Sequence, residues 1–339
     1  MNTALRTLPL LGIVMVAVSC DNVEWGGAHL SLRSASEDPV EVEAGAPLSD
    51  PIPAGDTVAA EPLGPVLYMG RRSGSQASLI PVAEIRPDGL YALEVTSVEE
   101  SRAFAADNVS AGSEFTLFAD GRRVGRLSAV DFGVDERYCR PRPQITGPIE
   151  LIPDASAVRT FLALPSQLGS TFLHGSYAPV PQTRDLRVVS LTMMQLIIPS
   201  VGAPWPISVL GIRRDIQVFR ANLDEAPTVV ATFVNADSLD VGPAPRGAYS
   251  VFLVASDPDG TGYRTSYTDY RLASRDGKGT ARYFDHLDLD RDGSPEIVLE
   301  VMGRNSMWLS ALSRRDGAMQ EAYRDPCGLP APAGVTGAP

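Results

Sequence analysis

The residues with the clearest chemistry lie in one acidic stretch near the C-terminus, DLDRDGSPEIVLEV. It places carboxylates at Asp288, Asp290, Asp292 and Glu296, with Gly293 at the bend. Four carboxylates within nine residues repel one another unless a cation stands between them. A hard cation such as Ca²⁺ takes several oxygens at about 2.3–2.6 Å, and alternate positions of a tight loop can aim them at one point. The three aspartates follow a period of two, which puts side chains on one side of an extended chain. Glycine at 293 then allows the turn that returns Glu296 toward the same centre. An EF-hand is excluded: its bidentate Glu stands at loop position 12, which counted from Asp288 is Leu299. The flanks, ARYFDHL and IVLEV, also read as strand rather than helix. SDPDGTG, with Asp257 and Asp259, reads as an ordinary turn.

The stretch resembles the calcium loops of FG-GAP/VCBS-type repeats, in which a strand–loop–strand carries D-x-D-x-D-G-x-x-[DE] before an apolar strand. The resemblance covers about residues 280–302. It implies one Ca²⁺, held by side-chain oxygens of Asp288, Asp290, Asp292 and Glu296 and by the carbonyl of Ser294. A faint echo lies 68 residues earlier, where Pro227-Thr228-Val229-Val230 lines up with Pro295-Glu296-Ile297-Val298, but that loop lacks the carboxylate ladder.

Three cysteines have different prospects. The chain opens MNTALRTLPLLGIVMVAVSC. Arg6 supplies a positive start, and Leu8 to Val18 an apolar stretch too short to span a bilayer, which needs roughly 20 residues. Small residues then lead to Cys20. This resembles the lipobox of bacterial lipoproteins, with Ala17 where Leu is commoner. The resemblance implies a signal peptide over 1–19, cleavage before Cys20, and acylation of Cys20, so that lipid holds the exported protein to a membrane. Asp21 resembles an inner-membrane retention signal of enterobacterial lipoproteins. Cys139 and Cys327 remain, an even pair in Pro-rich settings without CxxC spacing, and a structural disulfide is expected between them.

A net charge of −12 argues against nucleic acid, which needs a phosphate-neutralising basic patch. It argues likewise against extended electrostatic contact with anionic lipid. Histidine occurs only at 29, 174 and 286. His29 lies in an acidic, Pro-rich stretch, and His174 stands in HGSY without a nucleophile elbow. His286 is expected to pack or cap rather than act as a base. The chain has no HExxH, P-loop, dinucleotide fingerprint or paired-Cys zinc pattern. Hydrolysis by paired acids leaves no short motif. A non-enzyme is the default reading, and no catalytic residue is singled out.

The elements that would position the acidic loop read as strands. PVLYMG, SLIPVAEI, GLYALEVTSV, EFTLFADG and RRVGRLSAVDFG precede residue 135, with a hairpin signal at Asp120-Gly121. LRVVSLTM, ISVLGI, DIQVFRANL, TVVATFVN, YSVFLVAS, RTSYTDYRL, TARYFDHLDL, EIVLEVMG and SMWLSALSR follow from 184. One short helix is expected over Asp154–Leu164 and another near 101–108. The expected fold is mainly β, with antiparallel sheets in a sandwich, barrel or propeller-like arrangement and few short helices. The expected organisation is a signal peptide (1–19), lipidated Cys and disordered tether (20–64), N-terminal β-rich domain (65–182), C-terminal β-rich domain with the acidic loop (183–327) and disordered tail (328–339). The function these readings favour is a binding or structural lipoprotein of the cell envelope, in the periplasm or on the surface, with structural Ca²⁺. An envelope hydrolase acting on glycan or ester and a subunit of an envelope assembly stay open as alternatives.

Overall fold

A computed structural model describes residues 63–169, 177–221, 225–315 and 317–330. Cys20, the expected signal peptide, all but the last two residues of the expected tether, His29, His174 and residues 331–339 lie outside them.

The chain is mainly β, in antiparallel sheets. The first is built from β1 (Val66–Ser73), β2 (Gln76–Arg86), β3 (Gly89–Ala92), β4 (Glu114–Ala119), β5 (Arg122–Ser128), β6 (Asp131–Asp135), β7 (Arg142–Leu151) and β8 (Thr160–Pro165), with helix α1 (Val98–Asn108) between β3 and β4. Its order is β3-β2-β1-β8-β4-β5-β7-β6, and β2 also pairs with β7. Six strands therefore close into a barrel, leaving β3 and β6 as flaps. Closure removes the unpaired edges that an open sheet would present. Tyr68, Leu79, Phe115, Leu117, Leu127, Ile145 and Phe161 belong to one buried cluster inside it. Gly70 is required there, because a Cβ would sit 1.9 Å from the Phe161 ring. Asp120 and Gly121 form the β4–β5 hairpin tip with φ of 49° and 66°, the positive values a type I′ turn demands.

After β8 come α2 (Ser166–Gly169), α3 (Arg184–Ser200) and α4 (Val209–Ile212). A second sheet then runs β12-β11-β10-β9, from β9 (Arg213–Phe219), β10 (Thr228–Asn235), β11 (Tyr249–Ser256) and β12 (Arg264–Leu272). The one-turn helix α5 (Ala273–Asp276) leads to the third sheet, β13 (Gly279–Leu287), β14 (Glu296–Gly303), β15 (Ser306–Arg315) and β16 (Ala318–Arg324), with β17 (Leu329–Pro330) pairing with β15.

The sheets stack in layers. α3 and α4 cover one face of the second sheet through Val189, Met193, Ile197 and Ile212. The other face meets the third sheet, where Phe219, Val230 and Phe252 pack on Ile297, Leu299 and Val301. The third sheet's far face meets the barrel wall, where Val298, Leu309 and Tyr323 pack on Leu67, Phe118 and Leu162. The third sheet is thus covered on both faces, and every residue of β14 is buried, Glu296 and Glu300 included. Glu300 is neutralised by Arg71 of the barrel and Arg282 of β13.

Cys139 and Cys327 form a disulfide, their Cα atoms 5.4 Å apart across 188 residues of chain. Beside it Arg142 donates to Asp325 at 2.6 Å in a buried ion pair.

Several expectations are corrected. Over 154–164 there is only a 3₁₀ turn at Pro153–Ala155, followed by β8, a central barrel strand. LRVVSLTM belongs to α3 and the end of ISVLGI to α4, helices where strands were expected. Met193, Ile197 and Val189 share the sheet-facing side of α3, and Thr183 caps it by accepting from Leu186 N, so tertiary burial and capping outweigh the strand propensity of Val and Thr. Leu329 and Pro330, within the stretch expected as tail, form β17.

Candidate metal centre

The acidic loop joins β13 to β14, two neighbouring antiparallel strands paired from Leu287↔Glu296 onward. β13 delivers Asp288 immediately after its last residue, and β14 begins with Glu296, so the ladder fixes both ends. Between them Arg291 and Gly293 take positive φ, 65° and 90°, which curls the loop back.

Oxygens of Asp288, Asp290 and Glu296 all lie within 4.8 Å of one another. Asp292 is not in this group: its Oδ1 accepts the Ser294 N–H at 2.7 Å. Ser294, expected to contribute a carbonyl, thus uses its N–H within the loop. The aspartates also accept from the loop's own backbone, Asp290 from Asp292 N at 3.1 Å and Asp288 Oδ2 from Gly293 N at 3.1 Å.

Glu296 is the anchored member. Its Oε2 accepts Leu289 N at 2.7 Å and its Oε1 accepts Ser313 Oγ of β15 at 3.1 Å. Burial, with the Asp290 charge adding to it, raises its pKa to about 7. Burial likewise raises Asp288, and the charges of Asp292 and Asp290 push the same way. Asp288 Oδ1 is buried and has no hydrogen-bond partner among the described residues. Buried acceptors are normally satisfied, so this oxygen calls for a ligand. The donor set is all oxygen, the preference of Ca²⁺ and Mg²⁺ rather than of softer metals. The residues fit a hard divalent cation: Asp288, Asp290 and Glu296 would hold it, and Ser313 and Leu289 orient Glu296.

A second polar cluster lies where the barrel touches β13. Asp285 Oδ1 accepts Gly121 N from the β4–β5 hairpin tip at 3.1 Å and His286 N at 2.8 Å. His286 is buried, stacks on Phe219 at 3.9 Å between centroids, and has its Nδ1 2.6 Å from the Tyr283 hydroxyl. A Cβ at Gly121 would lie 2.5 Å from His286 Nε2, so only glycine lets the hairpin seat there. Desolvation raises Asp285 well above its usual range and lowers His286 to about 3. Packed and hydrogen-bonded groups make this a joint between barrel and third sheet. Sequence reasoning did not find it, since Gly121 and Asp285 are 164 residues apart.

A recess of about 290 Å³ opens beside the acidic loop, between the second and third sheets. Gly293, Ser294 and Pro295 form one wall, Phe219, Val254 and Ile297 the apolar floor, and Glu225, Asp257 and Arg314 are among its polar lining. Asp257 is engaged by the Gly262 N–H at 3.0 Å.

No helix among the described residues is long and apolar enough to cross a membrane. Compared with family models, curated proteins and solved structures, the chain has no significant match.

Proposed function

We propose that this protein is a lipid-anchored binding or structural protein of the bacterial cell envelope, and that one Ca²⁺ at Asp288, Asp290 and Glu296 braces its third sheet. The single observation that carries the metal reading is the excess of acceptors in the loop. Three carboxylates converge, one of them almost fully buried, and Asp288 Oδ1 has no partner. The role is structural because Glu296 opens β14, the strand with every residue buried between two packed faces. A cation there neutralises charge at the root of the central strand. The anchor rests on Cys20 and the segment before it.

The binding reading takes support from the recess beside the loop, whose wall is the loop itself. Among the described residues its lining carries no histidine, cysteine or lysine, while Glu225 and Asp257 supply carboxylates.

Calorimetric titration of the purified protein with CaCl₂ tests the metal. One site is expected in wild type and none in Glu296→Gln; heats identical in the two would refute the assignment. Incorporation of labelled fatty acid, lost in Cys20→Ala, tests the anchor; label retained in that variant would refute it.

A further inference from the structure

The outer side of the helical layer is unlike the rest of the surface. α3, the connection 201–208 and α4 bury one side against the second sheet. The opposite side carries Val188, Leu196, Trp205, Ile207 and Leu210, all exposed; Trp205 retains 60% of its accessible surface and Ile207 essentially all of it. On α3, Val188 and Leu196 are two turns apart and both exposed, whereas Met193, Met194 and Ile197 are buried. The connection then turns back. Ala203 N donates to Ile198 O, and Arg213, just after α4, donates to Arg187 O at 3.0 Å and to Ser190 Oγ at 3.1 Å. Trp205, Ile207 and Leu210 therefore lie alongside α3 rather than away from it. Clustered exposed apolar side chains of this size mark an interaction surface.

Charge says what kind. Between residues 178 and 214 the chain has four arginines, Arg184, Arg187, Arg213 and Arg214, and one acid, Asp185. This is a local excess of positive charge in a chain of net charge −12. None of the four is in a salt bridge among the described residues. Arg184 and Arg187 sit at the N-terminal end of α3, where the helix dipole disfavours cations, so helix stability is not their purpose. Arg213 faces the uncompensated Arg187 charge, which adds to burial in lowering its pKa.

We propose that this face, Trp205, Ile207, Leu210, Val188 and Leu196 with the arginines beside them, docks on the surface of an anionic phospholipid bilayer. Tryptophan and aliphatic side chains enter the interface while guanidiniums meet the phosphates. The overall acidic charge argues against broad contact with such a surface, and this layer is a local exception. The inference deepens the envelope reading above and rests on it only for how the protein reaches the bilayer. Forty-two residues lie between Cys20 and Leu63, at most about 150 Å of chain, so an anchor at Cys20 permits this face to reach the lipid.

The test uses the whole mature chain in two forms, acylated and, with Cys20 replaced by Ser behind an ordinary cleavable signal, free of acyl chains. The acyl-free form is sedimented with vesicles of phosphatidylcholine alone or mixed with phosphatidylglycerol. Sedimentation is expected only with the anionic mixture. Arg184→Gln and Arg187→Gln should each weaken it about fivefold, and Ile207→Ser should weaken it without moving the melting temperature. The acylated form is placed in anionic vesicles containing brominated lipid, and tryptophan quenching is expected to fall in Trp205→Phe. Equal sedimentation with both vesicle types, or quenching unchanged in Trp205→Phe, overturns the proposal. A dimer in solution that dissociates in Trp205→Ala also overturns it, assigning the face to a second copy. Failure of acyl labelling at Cys20 refutes the anchor alone, because the sedimentation result does not depend on it.

Discussion

Two Asp-Gly loops, one after β11 and one after β13, look alike in sequence and differ in how they settle their charge. In SDPDGTG, Asp257 accepts Gly262 N and Asp259 accepts both the N–H and the hydroxyl of Thr261. Asp259 also pairs with Arg264, and these bonds lower its pKa to about 2. In DLDRDGSPE the backbone N–H groups are spent on single oxygens, an acceptor of Asp288 stays empty, and Glu296 is raised to about 7. Acidity is therefore a poor sign of a cation site. The informative quantity is the surplus of buried acceptors over donors.

The strongest challenge to that contrast is calcium itself. At a hundredfold excess over the dissociation constant a bound ion adds about 2.7 kcal/mol, or about 5 °C in melting temperature for a chain of this size. Asp290→Asn should lose most of the shift and Asp259→Asn none of it. A scan in which both variants keep the wild-type shift would erase the distinction between the loops.

Asp285 sharpens the comparison as a third solution, a buried carboxyl whose protonated form burial favours. Its folded pKa lies above the unfolded value, so its contribution to stability is complete below about pH 4 and is lost as pH rises toward the folded pKa. The loss is about 1.4 kcal/mol per pH unit. Asp285→Asn keeps an acceptor for Gly121 and His286 and should remove that slope between pH 5 and 6 in urea unfolding, making the variant the more stable protein at the higher pH. An unchanged slope would mean that the carboxylate is charged in the fold.

Glu296→Gln should have opposite signs with and without the ion. At pH 8 and in chelator it relieves an unfavourable ionisation and should stabilise by about 1 kcal/mol or more, since one pKa unit is about 1.4 kcal/mol. With calcium it should be the less stable protein. Denaturant midpoints in the two buffers decide it. The smallest effect is expected of Asp259→Asn, an exposed change that should move the midpoint no more than surface substitutions do.

These contrasts also explain what could be read from the chain. The β class and most strands follow from short apolar runs, and Asp120-Gly121 announces its hairpin because few other pairs accept positive φ twice. Helix α3 was obscured by Val, Thr and Ile, although Leu186, Val189, Met193 and Ile197 already recur at three or four residues. β8 reads as helix in sequence because its FLAL core is a continuous apolar run, and such runs carry no period when both faces are buried. β7 was missed because RPQITGPIEL has two prolines and few apolar residues. At the site, period two and a glycine were enough to bring Asp288, Asp290 and Glu296 together. They could not show that Asp292 would be taken by Ser294 N, a choice made by local backbone angles. Nor could they show the joint of Gly121 with Asp285, which exists only once the barrel has closed.

The disulfide imposes an order of events. Cys139 leaves the synthesis machinery 188 residues ahead of its partner. Strands β1–β6 precede it and β7 and β8 follow soon after, while Cys327 comes only after the last long strand of the third sheet. The thiol at 139 must therefore wait, unpaired, through the making of both later sheets. Once the bond forms, Asp325 and Cys327 are held beside Arg142, and the last residues described are fastened to a barrel that was finished long before them. A chain truncated before 325 would keep every barrel strand yet leave Arg142 without its carboxylate. The clasp thus makes the burial of Arg142, far back in the chain, conditional on the arrival of the far end.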